Sequence, residues 1–223
     1  MELRLYTDLS STRFDILCRS LKVKWEIVLP AVLMVVCART RWPGVMPWNF
    51  SAAYGLAFCA GLYFSGPARW ILPLLTLGLT DVFLNLHYGE SVINVYSLVS
   101  LTTFSAIIWL GTKFSPRWPW IILALGGVAG AFVFYIVTNT ISWLADPAYA
   151  KTFAGWLQAI TFGRPGFPAT WEFFRNTLMS GGLFTALFSA VMKLSEPVES
   201  KETESEDSEE EVPNGKPTSE PAK

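Results

Sequence analysis

The chain has 223 residues, of which 52% are hydrophobic and only 16% are charged, whereas soluble domains usually carry about 25% charged residues. The charge is unevenly distributed, because residues 1–194 carry fourteen basic and eight acidic side chains and residues 195–223 carry three basic and ten acidic ones. This composition excludes an ordinary soluble domain. It predicts a basic body embedded in a membrane, followed by an acidic tail.

The sequence lacks the motifs of several classes of protein. Its three cysteines, Cys18, Cys37 and Cys59, form no CxxC pair, so no disulfide framework is predicted. A single histidine, His87, makes a His-rich metal site implausible. No GxxxxGK[ST], HExxH or GxSxG motif occurs, so the chain has no signature for ATP hydrolysis or for the common hydrolases. We therefore expect neither an enzyme nor a cofactor or metal.

Six apolar runs predict an all-α integral membrane protein with a bundle of six transmembrane helices. A bilayer core of about 30 Å needs about 20 helical residues, so the last four runs are long enough and the first two are marginal. The runs are Trp25–Ala38, Ser51–Ser65, Ala68–Leu86, Val92–Thr112, Trp118–Leu144 and Glu172–Leu194.

The early runs leave two alternatives open. The second and third runs could form a re-entrant hairpin instead of two spans. The first run could be a cleaved signal peptide, because Val36-Cys37-Ala38 loosely resembles a small-residue cleavage site. Against cleavage, the basic region before the run is long and the run contains Pro30.

The basic residues predict the orientation of the chain. With a cytoplasmic N-terminus, nine Lys and Arg residues lie on the inner side and five on the outer side, in agreement with the positive-inside rule. We therefore predict a multi-pass protein of the inner cell membrane with both termini in the cytoplasm. Residues 1–24 are a basic segment with the spacing of a short interfacial helix, residues 25–194 the transmembrane domain, and residues 195–223 a disordered acidic tail.

The connection before the sixth run also has a helical pattern. Its apolar residues recur at three- and four-residue spacing, which predicts one apolar face on a short helix. These residues are Tyr149, Phe153, Trp156, Leu157 and Ile160. Such a helix could rest on the outer leaflet, or it could be a lid over a binding site.

Asp81 is a carboxylate inside an apolar run, where a charged side chain is unusual. Asp81 and Asn85 are four residues apart and therefore share one face of the third helix, near its outer end. A carboxylate at that depth costs about 2–3 kcal/mol, and the negative end of the helix dipole disfavours it further. We therefore predict either a ligand or a buried network for Asp81, or a shorter helix that leaves it facing water.

Other polar and aromatic residues lie at the same predicted outer ends. The Trp–Pro turn (Arg41–Ser51) joins the first two runs on that side and contributes two of them, and Glu172 has the spacing of a local ion pair with Arg175. A one-sided polar and aromatic pocket suits a small polar ligand that is captured from outside. The candidate ligand-binding residues are Trp48, Asn49, Asp81, Asn85, Asn94, Asn139, Trp143, Trp171, Glu172, Arg175 and Asn176.

Three stripes of small residues predict close helix packing. They are Ala53/Ala57/Gly61, Gly126/Gly130 and Gly182/Ala186/Ala190. Packing within the bundle is the first interpretation, and a docking face for another membrane protein is the alternative.

Two blocks of the sequence resemble an uncharacterised bacterial family of proposed transport proteins, and the likeness extends over residues 25–192. The first block contains Met46–Ser51, Ala57–Phe64, Leu72-Pro73-Leu74 and Leu79-Thr80-Asp81. The second contains Phe134–Trp143, Tyr149, Lys151-Thr152, Gly155–Leu157 and Phe173–Leu178. This family is similar to the substrate-binding (S) components of energy-coupling factor (ECF) transporters.

The resemblance implies a fold and a set of partners. S components are six-helix membrane proteins that bind a vitamin or metal-related solute near the outer face. They work with a second membrane subunit and two cytoplasmic ATPases, so the partners implied are the lipid bilayer, a transmembrane coupling subunit, ATPases and a small solute, with no nucleic acid. The alternative function is a structural or assembly membrane protein without a ligand, which acts through its small-residue stripes and acidic tail.

Overall fold

The chain is all-helical in the part that the structure describes. A computed structural model describes the backbone of residues 25–210, and the described side chains lie between residues 28 and 193. No strand occurs in these residues. The helices are α1 (Trp25–Arg41), α2 (Ala53–Tyr63), α3 (Ala68–Tyr88), α4 (Val95–Gly111), α5 (Trp120–Ala145), α6 (Phe153–Thr161) and α7 (Thr170–Glu210).

The short helix α2 is the core of the bundle. Every residue from Ala53 to Leu62 is buried, and α2 contacts α1, α3, α4, α5 and α7. Its 11 residues make it only about 16 Å long, at 1.5 Å per residue. An all-apolar helix of this kind can only be buried, since it has no polar face to present to water.

Glycines allow the backbones of neighbouring helices to touch. A Cβ on Gly61 of α2 would lie 1.9 Å from the carbonyl oxygen of Ile108 in α4, and a Cβ on Gly111 would lie 2.2 Å from that of Phe58. Between α5 and α7, a Cβ on Gly127 would lie 2.0 Å from Thr185 Oγ1. The stripe residues Gly61, Gly126 and Gly182 would each meet a neighbouring helix if a Cβ were added, so the predicted close packing is formed inside the bundle. Ala190 of the third stripe is exposed.

Helices α1, α3 and α5 end, and helices α2, α4 and α7 begin, at the same end of the bundle. We call it the turn end because the Trp–Pro turn lies there. At this end the last residue of α1, Arg41, meets Asp81 of α3, and Asn176 near the start of α7 donates to the Trp48 carbonyl at 2.9 Å. The opposite end is marked by Lys193 of α7, which donates to the Trp118 carbonyl at 2.7 Å. The polar ends that the sequence analysis groups on one side thus belong to one end of the bundle.

Among the described helices, α3 and α5 are long and apolar enough, by length and composition, to cross a membrane. The shorter helices α2 and α4 are also apolar. The prediction of an all-helical fold is confirmed for the described residues.

The last helix is longer than the sixth apolar run. Helix α7 continues to Glu210, beyond Leu194, where the predicted run ends. Seven of the sixteen residues from 195 to 210 are Glu, which is a good helix former, and a helix that is already nucleated extends at little cost. The predicted basic segment 1–24 and residues 211–223 lie outside the described residues.

The predicted helix in the connection is present as α6, and its predicted apolar face is only partly covered. Tyr149 is buried, and Trp156 donates to Thr140 of α5, while Phe153 is 73% and Leu157 40% exposed. A Cβ on Gly155 would lie 2.0 Å from the Ala150 carbonyl, so the start of α6 is in close contact with the loop that precedes it.

Candidate functional site

A cavity of about 540 Å³ opens at the turn end of the bundle. The Trp–Pro turn forms one side of it, and α2, α3, α4 and α5 form the rest. Its polar lining residues are Thr40, Arg41, Asn49, Ser51, Asp81, Asn85, Ser97 and Ser100, and its aromatic ones are Trp42, Trp48, Phe50, Tyr54, Tyr88, Tyr96, Phe104 and Phe134.

The Trp–Pro turn is held by its own backbone and by Thr40. The amide of Val45 donates to the Trp42 carbonyl at 3.2 Å and that of Phe50 to the Pro47 carbonyl at 2.9 Å. Asn49 adopts a left-handed conformation, with φ of 59°, which Asn tolerates better than most residues. The buried hydroxyl of Thr40 accepts from the Ala52 amide at 3.0 Å, so it joins the end of α1 to the start of α2.

An ion pair forms the charged part of the cavity. The Nη2 of Arg41 donates to Oδ1 of Asp81, and each side chain is only 13% exposed. Two further atoms of this pair, Arg41 Nε and Asp81 Oδ2, are buried without a hydrogen-bond partner among the described residues. The pair therefore leaves one donor and one acceptor unsatisfied in the wall of the cavity.

The amide of Asn85 links α3 to α4 at the edge of the cavity. Its Nδ2 donates to Ser97 Oγ at 2.9 Å and to the Val92 carbonyl at 3.1 Å. Asn94 caps α4, because its side-chain oxygen accepts from the Ser97 amide at 2.8 Å. Asn94 thus has a structural role beside the cavity and does not line it, whereas Asn85 does.

Comparison with known proteins gives a family and no function. A family model described as a family of unknown function (DUF6580) matches residues 21–203. The chain belongs to this family. No curated protein and no solved structure matches the chain.

The four predicted residues that line the cavity are Trp48, Asn49, Asp81 and Asn85. Two candidates from α5 lie elsewhere and have partners of their own. Asn139 donates to the Tyr135 carbonyl at 2.8 Å, and Trp143 donates through Nε1 to the Ala150 carbonyl at 2.8 Å. Both point towards the α6 side of the bundle.

The candidates at the start of α7 are also outside the cavity lining. Trp171, Glu172 and Arg175 are exposed, and the Arg175 guanidinium lies over the Trp171 ring, 5.4 Å from its centroid. Within the described part of the chain the ion pair expected between Glu172 and Arg175 is not formed, because the arginine stacks on the indole instead. Asn176 acts on the site indirectly, by holding the Trp48 carbonyl.

Helix α6 does not cover the cavity, to which it contributes no lining residue. It is attached on the other side of α5, where the hydroxyl of Tyr135 contacts the carbonyl oxygens of Ile160 at 2.6 Å and Thr170 at 3.1 Å. Trp156 adds a hydrogen bond through Nε1 to Thr140 Oγ1 at 2.9 Å.

Sequence reasoning missed most of the inner wall of the cavity. Tyr54 is buried at 4% exposure and Phe104 at 0%, and Tyr54 packs edge-on against Phe134, with ring centroids 5.2 Å apart. Nothing in an apolar run distinguishes an aromatic residue that faces a cavity from one that faces lipid. For Arg41 a signal existed, since a charge at the last residue of α1 could reach a carboxylate on a neighbouring helix.

Proposed function

We propose that this protein is the solute-binding subunit of an ATP-driven uptake system of the ECF type. In this proposal six helices form a bundle in the inner cell membrane, and the cavity at the turn end opens to the outside. A small polar solute enters there and binds between the Trp–Pro turn and the Arg41–Asp81 pair. A separate membrane subunit and cytoplasmic ATPases would supply the energy.

The observation that carries the proposal is the ion pair in the cavity wall. The cavity volume of about 540 Å³ lies within the range of about 300–1,000 Å³ that is usual for small-molecule sites. A charged pair inside an apolar bundle is costly and is typical of solute pathways in membrane proteins. The aromatic rings around the pair would supply the apolar contacts of the site.

The length of the helices supports a membrane location. Besides α3 and α5, which are long and apolar enough to cross, α1 has 17 residues and α4 has 17. Helix α2 would be a buried inner element that lies entirely among the others, so that protein and not lipid surrounds its ends.

Gentle purification of the full chain tests the proposal. Mass spectrometry should find a small molecule bound to the protein and ATPase subunits that co-purify with it. The Asp81→Asn variant should lose the small molecule, whereas Asp146→Asn, which changes the same chemical group in a loop away from the cavity, should keep it. A protein that carries no small molecule and no ATPase would favour the structural or assembly role instead.

A further inference from the structure

A second concave surface lies directly beside the cavity. It is an apolar groove of about 760 Å³ between α1 and α3. Its floor and walls are mostly aliphatic and aromatic side chains. Five of them are more than half exposed, namely Val35, Trp42, Leu79, Phe83 and Leu86. The lining residues are Ala31, Met34, Val35, Ala38, Arg41, Trp42, Pro43, Thr76, Leu79, Thr80, Phe83, Leu84, Leu86 and His87.

The groove is apolar along its length and polar only at the turn end. The hydroxyls of Thr76 and Thr80 donate to carbonyls of their own helix, at 2.9 Å each, so these residues present mainly their methyl groups. The remaining polar lining residues are Arg41, at the end of α1, and His87, near the end of α3. From Ala31 to Arg41 the groove extends about 15 Å at 1.5 Å per residue.

The groove and the cavity are adjacent. Arg41, Trp42, Pro43 and Leu84 line both of them, so the ion pair stands at the junction. This pair has a buried donor, Arg41 Nε, and a buried acceptor, Asp81 Oδ2, without partners among the described residues. A molecule that fills both spaces would therefore meet opposite charges at one end and a long apolar surface at the other.

We propose that the ligand is an amphiphile with a zwitterionic head group and a single alkyl chain. The head group occupies the cavity, where its negative group faces Arg41 and its positive group faces Asp81. The chain leaves between α1 and α3 and lies in the groove. This inference rests on the proposed function, because it names the class of solute that the same site takes.

A ligand with a charged head group and an alkyl chain would use both the ion pair and the apolar groove beside it. A bilayer lipid in contact with an ordinary outer surface finds no fixed charge pair at the end of its chain. Here the alkyl chain packs against the apolar walls of the groove, and each van der Waals contact adds a small gain. The head group uses the hydrogen-bonding capacity that the ion pair leaves unsatisfied.

Binding of defined probes to the full-length protein in digitonin, which has no alkyl chain, tests this inference. The amphiphilic probe is radiolabelled lauroyl lysophosphatidylcholine, and the head-group probe is glycerophosphocholine. The groove variant is Val35→Trp, which places an indole in the groove. Its matched control is Val32→Trp, the same change on the same helix at an exposed residue that does not line the groove.

We expect the amphiphile to bind at least about tenfold more tightly than glycerophosphocholine, because its chain makes packing contacts with the groove walls that glycerophosphocholine cannot make. Val35→Trp should remove that advantage and Val32→Trp should keep it. If glycerophosphocholine binds as tightly as the amphiphile, or if both tryptophan variants bind equally well, the inference is overturned and the proposed function stands. If neither probe binds the wild-type protein, the inference is overturned, and the proposed function is then judged separately by the molecule that co-purifies.

Discussion

Arg41 and Asp81 are the residues on which the turn end depends most. Removing two charges from water costs several kcal/mol for each ion, and their mutual attraction repays this only when the geometry is good. Because each side chain keeps 13% exposure, part of that cost is avoided. Loss of one partner would nevertheless leave the other charged and poorly solvated, so the two residues stabilise the protein only as a pair.

The ion pair gives the first prediction. Asp81→Asn should lower the free energy of unfolding by about 3 kcal/mol, the lower end of the range for breaking a buried pair. The double variant Arg41→Gln/Asp81→Asn should recover part of this loss, since it leaves no unpaired charge. The thermal unfolding midpoint of the full chain in detergent, followed by tryptophan fluorescence, measures both.

An exposed pair of the same type provides the control. Arg164 Nη1 lies 3.1 Å from Asp146 Oδ2, and the side chains of Arg164 and Asp146 are 47% and 24% exposed. Asp146→Asn should therefore cost less than about 1 kcal/mol. Equal losses for the two aspartate variants would contradict a special role for the pair in the cavity.

At this scale the sequence could predict Asp81 and could not predict its partner. A carboxylate in an apolar run is conspicuous in any sequence of this composition, and the prediction of a ligand or a buried network is consistent with its place in the cavity. Three arginines, Arg39, Arg41 and Arg164, lie near the predicted outer ends, and only the crossing of α1 over α3 decides among them. Such a choice depends on helix rotation, which local patterns do not specify.

At the scale of elements, α2 and its neighbours are in contact through their backbones. The contact between α2 and α4 centres on Gly61 and Gly111, where each glycine lies against a carbonyl of the other helix. Contacts of this kind hold membrane helices together, because apolar side chains gain little by leaving lipid for one another. The position of α2 in turn places Tyr54 in the wall of the cavity.

The second prediction concerns that contact. In Gly61→Ala the new Cβ would lie 1.9 Å from the Ile108 carbonyl oxygen, so α2 and α4 must separate. We expect a loss of about 3 kcal/mol, the upper end of the range for an overpacked core. Solute binding should weaken as well, since the movement displaces Tyr54.

The control replaces a helical glycine that has space around it. A Cβ on Gly78 of α3 would meet only Leu101 Cδ2, at 3.9 Å. Gly78→Ala should therefore be neutral or stabilising by about 0.5–1 kcal/mol, as expected when a glycine leaves a helix interior. An equal loss of thermal stability in both variants would contradict the close contact as the cause.

Periodicity and composition predicted the existence of each helix better than its environment. All six apolar runs contain a helix, and the short helix of the connection is present. For α6 the spacing predicted an apolar face, of which Tyr149 is buried while Phe153 and Leu157 are exposed, because spacing alone does not show which side of a helix packs on its neighbours. For α2 the sequence left a re-entrant hairpin open, and its complete burial follows from tertiary packing.

At the scale of the whole molecule, helices α1 to α4 run in alternating directions between the two ends of the bundle. The chain reaches the turn end at the close of α1 and α3 and leaves it at the start of α2 and α4. The loop between α3 and α4 therefore lies at the turn end, and the loop between α4 and α5 lies at the opposite end with Lys193 and Trp118. If the bundle crosses a membrane, these two loops are on opposite sides.

The orientation gives the last prediction. In a background without Cys18, Cys37 and Cys59, a cysteine is introduced in each loop as Glu90→Cys or Ser115→Cys. On intact cells a membrane-impermeant maleimide should label the cysteine at position 90 and leave the one at position 115 unlabelled, because the excess of basic residues keeps the second loop in the cytoplasm. Position 115 should react only after permeabilisation. The reverse pattern would place the cavity on the cytoplasmic side and exclude capture of a solute from outside, whereas labelling of both positions on intact cells would contradict a transmembrane bundle.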